Sequence, residues 1–126
     1  MNTVINTTDA PAPIGPYSQA VIANGFLFLS GQVAINPETG ELTQSSIEEE
    51  THQVMRNIKA VLLEAAYGFE DVVKTTIFLS DMSLFAEVNE VYGSYFKKNF
   101  PARETVAVKG LPKGVNVEIS MTAFKS

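Results

Sequence analysis

Residues 115–123 alternate apolar and polar side chains more strictly than any other part of the chain. One side carries Val115, Val117, Ile119, Met121 and Ala123, and the other carries Asn116, Glu118, Ser120 and Thr122. Successive side chains of a strand point to opposite faces of its sheet. The segment is therefore predicted to be a strand with one face on the core and Glu118 on the other face.

Two other segments repeat apolar residues at helical spacing, so each is predicted to be an amphipathic helix. The first begins at a capping box formed by Ser46 and Glu49 and is predicted to stop at Gly68. The second is predicted to end at Phe100, because the following proline disfavours helical backbone there. Its apolar face is formed by Leu84, Val88, Val91, Tyr92, Tyr95 and Phe96.

Four more segments have strand-like patterns: residues 18–24, 26–30, 72–80 and a stretch from Arg103 to about residue 108. Asn24-Gly25 favours a hairpin turn between the first two. Phe26-Leu27-Phe28-Leu29 is apolar on both faces. Both faces of this strand are therefore predicted to be buried, one under a helix and the other against another sheet or another subunit. The order is β-β-α-β-α-β-β, an α+β fold with two helices on one sheet face, in a single domain of residues 1–126.

Composition excludes several kinds of site. The chain has no cysteine, so disulfides, thiolate metal sites and thiol nucleophiles are excluded. The one histidine, His52, lies outside the apolar stripe of the first helix and is expected to be solvated and without a role. No P-loop, G-x-G-x-x-G or metal-ligand cluster occurs, so no metal and no cofactor are predicted.

Charge and hydropathy bear on partners and location. The net charge of −5 argues against broad attraction to nucleic-acid phosphates. No apolar run approaches the ~20 residues of a membrane helix, and the first ten residues lack the features of a secretion signal. We expect a cytoplasmic protein that does not bind membranes.

Arg103 stands where the chain is predicted to leave a helix and enter a strand. Pro101 precedes it, and Thr105, Val106 and Val108 favour extended backbone. A guanidinium held at a strand end can bind a carboxylate through two parallel hydrogen bonds. The residue alone leaves open a plain surface arginine.

Seven short segments together resemble the blocks of the reactive intermediate deaminase A family (RidA, also called YjgF), in the family's order. They are Ala12-Pro13-Ile14-Gly15-Pro16-Tyr17-Ser18-Gln19, Ser30-Gly31-Gln32, Val73-Lys74-Thr75-Thr76, Phe85-Ala86-Glu87-Val88-Asn89, Pro101-Ala102-Arg103, Leu111-Pro112-Lys113 and Val117-Glu118-Ile119. The resemblance spans nearly the whole chain. It implies a chorismate-mutase-like fold and a homotrimer with three clefts between subunits.

The resemblance also implies an activity, the hydrolytic deamination of 2-imino and 2-enamino acids, such as 2-aminoacrylate, to 2-oxo acids and ammonia without a cofactor. Arg103 would bind the substrate carboxylate, and Glu118 would orient and activate the attacking water. Gly31 and Thr105 would offer main-chain contacts. Tyr17, Ser30 and Asn89 would line the cleft, with more than one chain contributing to each site.

Two positions depart from the family pattern. Family members often have a cysteine where this chain has Thr105, and a small or apolar residue where it has Glu104. Water addition to an imine needs no thiol, but a carboxylate next to Arg103 could compete with the substrate unless it points to the other side of the strand. Two alternatives to the enzyme stay open, a trimeric regulatory protein that senses a 2-oxo acid or amino-acid-like metabolite, and an RNA-directed translation inhibitor, which suits an acidic chain less.

Overall fold

Six strands form one mixed sheet in the computed structural model, which describes residues 2–126. The elements are β1 Thr3–Ile5, β2 Ala20–Ala23, β3 Phe26–Leu29, α1 Ile47–Glu64, β4 Val72–Leu79, α2 Phe85–Gly93, β5 Ala102–Ala107 and β6 Val117–Phe124. The predicted fold class and order of elements are confirmed. The short strand β1, which no pattern predicted, precedes them.

The strand with the strictest alternation lies inside the sheet, whose order is β1-β2-β3-β6-β4-β5. β6 pairs antiparallel with β3 and β4, while β4 and β5 run parallel because α2 connects them. The apolar side chains of β6 are buried under the helices, and Glu118, Ser120 and Thr122 are half-buried on the opposite face. The sheet therefore has one face covered by helices and one that the described chain leaves uncovered.

Both helices end earlier than predicted, the second at Gly93 and not at Phe100, whereas the first begins as predicted. The backbone N–H of Glu49 donates to Ser46 Oγ at 3.0 Å, which caps α1. The left-handed residue after the helix is Ala66, with φ of 65°, and not Gly68. Hydrogen bonds from the N–H groups of Ala66 and Tyr67 to Leu63 and Leu62 complete the helix end, so the turn is closed before Gly68 is reached.

Five large apolar side chains are exposed on the uncovered sheet face. They are Val4, Phe26, Phe28, Val106 and Phe124. Phe28 is 50% exposed, and the rings of Phe26 and Phe124 lie 4.7 Å apart. The second cover that the sequence predicts for β3 is not supplied by residues 2–126, whereas Leu27 and Leu29 are buried as expected.

A buried carboxylate fastens α1 to the start of β6. Glu50, 1% exposed, accepts hydrogen bonds from the backbone N–H groups of Asn116 and Val117 and from Asn116 Nδ2, at 2.8, 3.2 and 2.9 Å. Asn116 in turn accepts from Ser80 at the end of β4. Because a buried carboxylate needs such donors, this arrangement also determines where the residues just before Glu118 lie.

Among residues 2–126, neither helix has the length and apolar character that crossing a membrane requires.

Candidate functional site

The predicted site residues fall into two groups on opposite faces of the sheet. Arg103 pairs in register with Thr75, whose side chain is buried beneath the helices, so Arg103 belongs to the helix-covered face. Glu118 pairs with Phe78, which alternation places on the uncovered face. One chain therefore does not bring the predicted carboxylate-binding group and the predicted water-activating group together.

The first group, here called the Glu118 half-site, consists of Tyr17, Ser30, Gly31 and Glu118. These four residues share the lining of a pocket of about 350 Å³. A methyl group on Gly31 would collide with Glu118 Oε2, so only glycine lets the carboxylate lie this close to the backbone. Burial raises the pKa of Glu118 above the usual glutamate value. A carboxylate with a raised pKa is suited to accept and return a proton.

Backbone and hydroxyl hydrogen bonds hold the Glu118 half-site together. Gln32 and Ile119 exchange two backbone hydrogen bonds of 2.8 and 3.1 Å, which sets Gly31 beside β6. The hydroxyl of Ser30 donates to the carbonyl of Ser18 at 2.6 Å. The Ser30 hydroxyl therefore already has a structural partner, and its oxygen lone pairs are what it can offer to a ligand.

Gln19 is a residue whose importance the sequence analysis missed. It is 2% exposed, and its side chain accepts from the N–H of Thr7 and donates to the carbonyls of Thr7, Ala10 and Pro11. These bonds hold the proline-rich loop that leads to Tyr17. A single glutamine in a sequence does not predict a buried side chain. The one feature that could have pointed to Gln19 is its position in a segment that resembles the RidA family.

The second group, here called the Arg103 half-site, consists of Asn89, Arg103 and Thr105. Arg103 Nη1 donates to Asn89 Oδ1 at 2.6 Å. The guanidinium also lies 5.5 Å from the ring centre of Phe85 and 5.2 Å from that of Tyr92, within cation–π range. Asn89 and Arg103 line a pocket of about 430 Å³. Helix α2 thus orients the guanidinium and leaves its remaining N–H donors for an anion.

Glu104 lies next to Arg103 in β5 but faces the opposite side of the sheet. Its carboxylate points to the uncovered face, accepts from Thr76 Oγ1 at 2.9 Å and lies 3.4 Å from Lys74 Nζ. The bond from Thr76, with help from Lys74, lowers the pKa of Glu104. Glu104 is therefore engaged away from Arg103 and does not compete for a ligand of the Arg103 half-site.

Thr105 has a buried hydroxyl that lacks a hydrogen-bond partner within residues 2–126. It pairs with Ile77 and so shares the helix-covered face with Arg103. A buried hydroxyl without a partner is costly, and a bound ligand or water would remove that cost.

His52 is placed differently from the prediction. It is half-buried, and its Nδ1 lies 2.8 Å from the hydroxyl oxygen of Tyr95, so the expectation of a solvated side chain was wrong. Burial raises the pKa of Tyr95.

In the described part of the chain, no cluster of three or more histidine, aspartate or glutamate side chains is arranged to hold a metal ion.

Comparison with known proteins identifies the family. The sequence model of the family described as endoribonuclease L-PSP matches residues 7–125. The Rid-family protein YyfA of Yersinia pestis is 50% identical, with a TM-score of 0.97 over 99% of this chain and 100% of the other. The chain belongs to the Rid (YjgF) family.

Two further members of the Rid family have informative names. The human 2-iminobutanoate/2-iminopropanoate deaminase is 44% identical over 97% of this chain and 89% of its own. E. coli TdcF, solved with bound serine, is 36% identical, with a TM-score of 0.94 over 98% of this chain and 99% of the other. Members similar to this chain thus include a named imine deaminase and a protein that binds an amino acid.

Proposed function

We propose that this Rid-family protein hydrolyses 2-imino and 2-enamino acids to 2-oxo acids and ammonia. The observation that carries the proposal is the pair of half-sites, one with an oriented guanidinium and the other with a half-buried carboxylate of raised pKa. The substrate class needs one group for its carboxylate and one for the attacking water. The name of the human relative and the serine bound to TdcF support the same class of ligand.

In the proposed reaction, Arg103 binds the substrate carboxylate through its free N–H donors while Asn89 and the aromatic rings hold the guanidinium. Glu118 takes a proton from water as the water oxygen bonds to the imine carbon. Glu118 returns this proton to the nitrogen, which gives a carbinolamine with one hydroxyl and one amino group on the carbon. A second proton then moves from that hydroxyl to the nitrogen as the carbon–nitrogen bond breaks, so ammonia and the 2-oxo acid leave. The main chain at Gly31 and Thr105 would contact the substrate, and Tyr17 and Ser30 would border it.

Since the half-sites lie on opposite faces of one sheet, we propose that each active site combines the Arg103 half-site of one copy with the Glu118 half-site of the next. Such a head-to-tail contact closes into a ring, and a homotrimer is the ring we propose. The exposed apolar patch on the uncovered face would supply the buried surface between copies. A trimer also provides the second cover predicted for β3.

Sedimentation equilibrium is expected to show three chains of 13.7 kDa each. Phe28→Asp should shift the protein toward the monomer, because it places a charge in the apolar patch, while Leu63→Asp, on the helix side, should not. A wild-type monomer with full activity would contradict both the trimer and the shared site.

The decisive assay for the activity follows ammonia release while a threonine dehydratase generates the enamine in the same solution. We expect release to be faster with this protein than with the Arg103→Ala variant. A regulatory protein that only senses a 2-oxo acid or amino acid would bind such a ligand in calorimetry without changing ammonia release. The acidic charge of the chain gives no reason to propose RNA as the substrate.

Glu118→Gln is expected to lower kcat by about 100-fold or more while KM changes little, since glutamine can hold a water but cannot take its proton. In the wild type, kcat/KM should fall as the pH drops through the raised pKa of Glu118, at a higher pH than for an ordinary glutamate. The variant should lack this acidic limb. An unchanged rate would leave Glu118 a structural role alone.

Thr105→Val is expected to keep most of the activity, because a threonine hydroxyl without a base is a poor nucleophile. Valine has the same shape and removes the unpartnered hydroxyl, so the free energy of unfolding should not decrease and should rise by up to about 1 kcal/mol. Urea unfolding measures the change in stability, and the coupled assay measures the activity. Loss of activity in a folded variant would assign the hydroxyl an essential role.

A further inference from the structure

A second concave site lies on the helix side of the molecule, between the carboxyl ends of α1 and α2. It is a groove of about 850 Å³, larger than the pocket of either half-site. None of the seven half-site residues lines it, and neither does any of the five apolar side chains of the uncovered face. The proposed active site and the proposed trimer contacts therefore leave the groove free.

The floor of this groove is apolar. It is formed by Leu62, Leu63, Phe69, Tyr95 and Phe96. Phe69 packs between the rings of Tyr95 and Phe96, with 5.5 Å between ring centres in both pairs. Leu63 is 63% exposed although it belongs to an otherwise well-packed helix. Such a floor favours an apolar ligand of small-molecule size.

The rim of the groove is positively charged. Lys59, Lys97, Lys98 and Lys125 line it, four of the nine basic residues in a chain with a net charge of −5. None of the four forms a salt bridge within residues 2–126. Lys125 donates to the carbonyl of Ala66 at 2.6 Å. The one carboxylate in the lining is that of Glu70, so the rim keeps a positive excess in an acidic protein.

We infer that this groove binds a free medium-chain carboxylate, with its hydrocarbon chain on the apolar floor and its carboxylate at the lysine rim. The charge of the rim selects an anion, and the volume suits one small molecule. The inference stands apart from the proposed deaminase activity, since none of the half-site residues takes part.

Isothermal titration with decanoate, below the concentration at which it forms micelles, tests the inference on the full chain. We expect saturable binding that weakens as the salt concentration rises, with 1-decanol and acetate both binding much more weakly. The double change Lys97→Gln and Lys98→Gln should raise the Kd by about 2- to 25-fold, since each exposed ion pair contributes about 1.4- to 5-fold. Leu63→Asp should raise it by about 10-fold or more.

Two matched controls locate the site. Lys109→Gln removes an exposed lysine outside the groove and should leave the Kd unchanged. Arg103→Ala should also leave it unchanged, which separates the groove from the proposed active site. No saturable binding, a Kd insensitive to the lysine and Leu63 changes, or loss of binding with Arg103→Ala would overturn the inference. Tighter binding of an acidic amphipathic peptide than of decanoate would also overturn it, in favour of a protein partner.

Discussion

Arg103→Lys is expected to lose almost as much activity as Arg103→Ala. Lysine keeps the positive charge but not the planar group that donates to Asn89 and lies against Phe85 and Tyr92. A substrate carboxylate held by two parallel bonds would then be held by one, off-centre. A hydrogen bond to a charged group contributes about 1.5–3 kcal/mol, so about 10- to 100-fold of activity should be lost, with misplacement of the imine carbon adding to it.

Ammonia release from freshly generated 2-aminoacrylate and calorimetric binding of a stable 2-oxo acid measure this prediction together. The enzyme hypothesis and the sensor hypothesis both predict that the variant binds the 2-oxo acid more weakly. Only the enzyme hypothesis predicts that turnover falls as well. Lys109→Gln, which changes an exposed charge outside both half-sites, serves as the control. If Arg103→Lys equals the wild type in both assays, Arg103 has no part in the site.

Two inactive variants are expected to restore activity when their subunits are mixed. Arg103→Ala removes the guanidinium of one half-site, and Glu118→Gln removes the carboxylate of the other. A mixed ring therefore contains some sites in which both residues are intact. With random mixing of equal amounts, each site has about a one-in-four chance of this, and about a quarter of the wild-type activity should return. A site contained in one chain would return none.

Subunits can be mixed by unfolding and refolding the two variants together, with each variant refolded alone as a reference. The matched control mixes Arg103→Ala with Arg103→Lys, two changes in the same half-site, which should stay inactive. Recovery in that control would show that the assay does not report on shared sites. No recovery in the first mixture, despite mixed oligomers, would exclude the shared active site.

Local patterns predicted most of the fold. The alternation of residues 115–123, the apolar stripe of α1 and the Asn24-Gly25 turn depend on neighbouring residues, and all three appear as predicted. Alternation also predicted that Glu118 would point away from the apolar face, and it suggested that Glu104 would lie on the side of the strand opposite Arg103, with competition for the substrate left as the alternative. The end of α1 shows the limit of such rules, because Ala66 adopts the left-handed conformation that glycine was expected to adopt.

Tertiary structure decided what alternation within single strands could not. That Arg103 and Glu118 face opposite sides of the sheet depends on how β5 and β6 both pair with β4. The burial of Glu50 depends on donors 66 and 67 residues away, and that of Gln19 on the carbonyls of a loop. A periodic pattern reports the surroundings of neighbouring residues, whereas a buried polar group is stable only where distant parts of the chain complete its hydrogen bonds. The sequence by itself therefore determined most of the elements and their faces, and strand pairing determined that the two half-sites lie on opposite faces of the sheet.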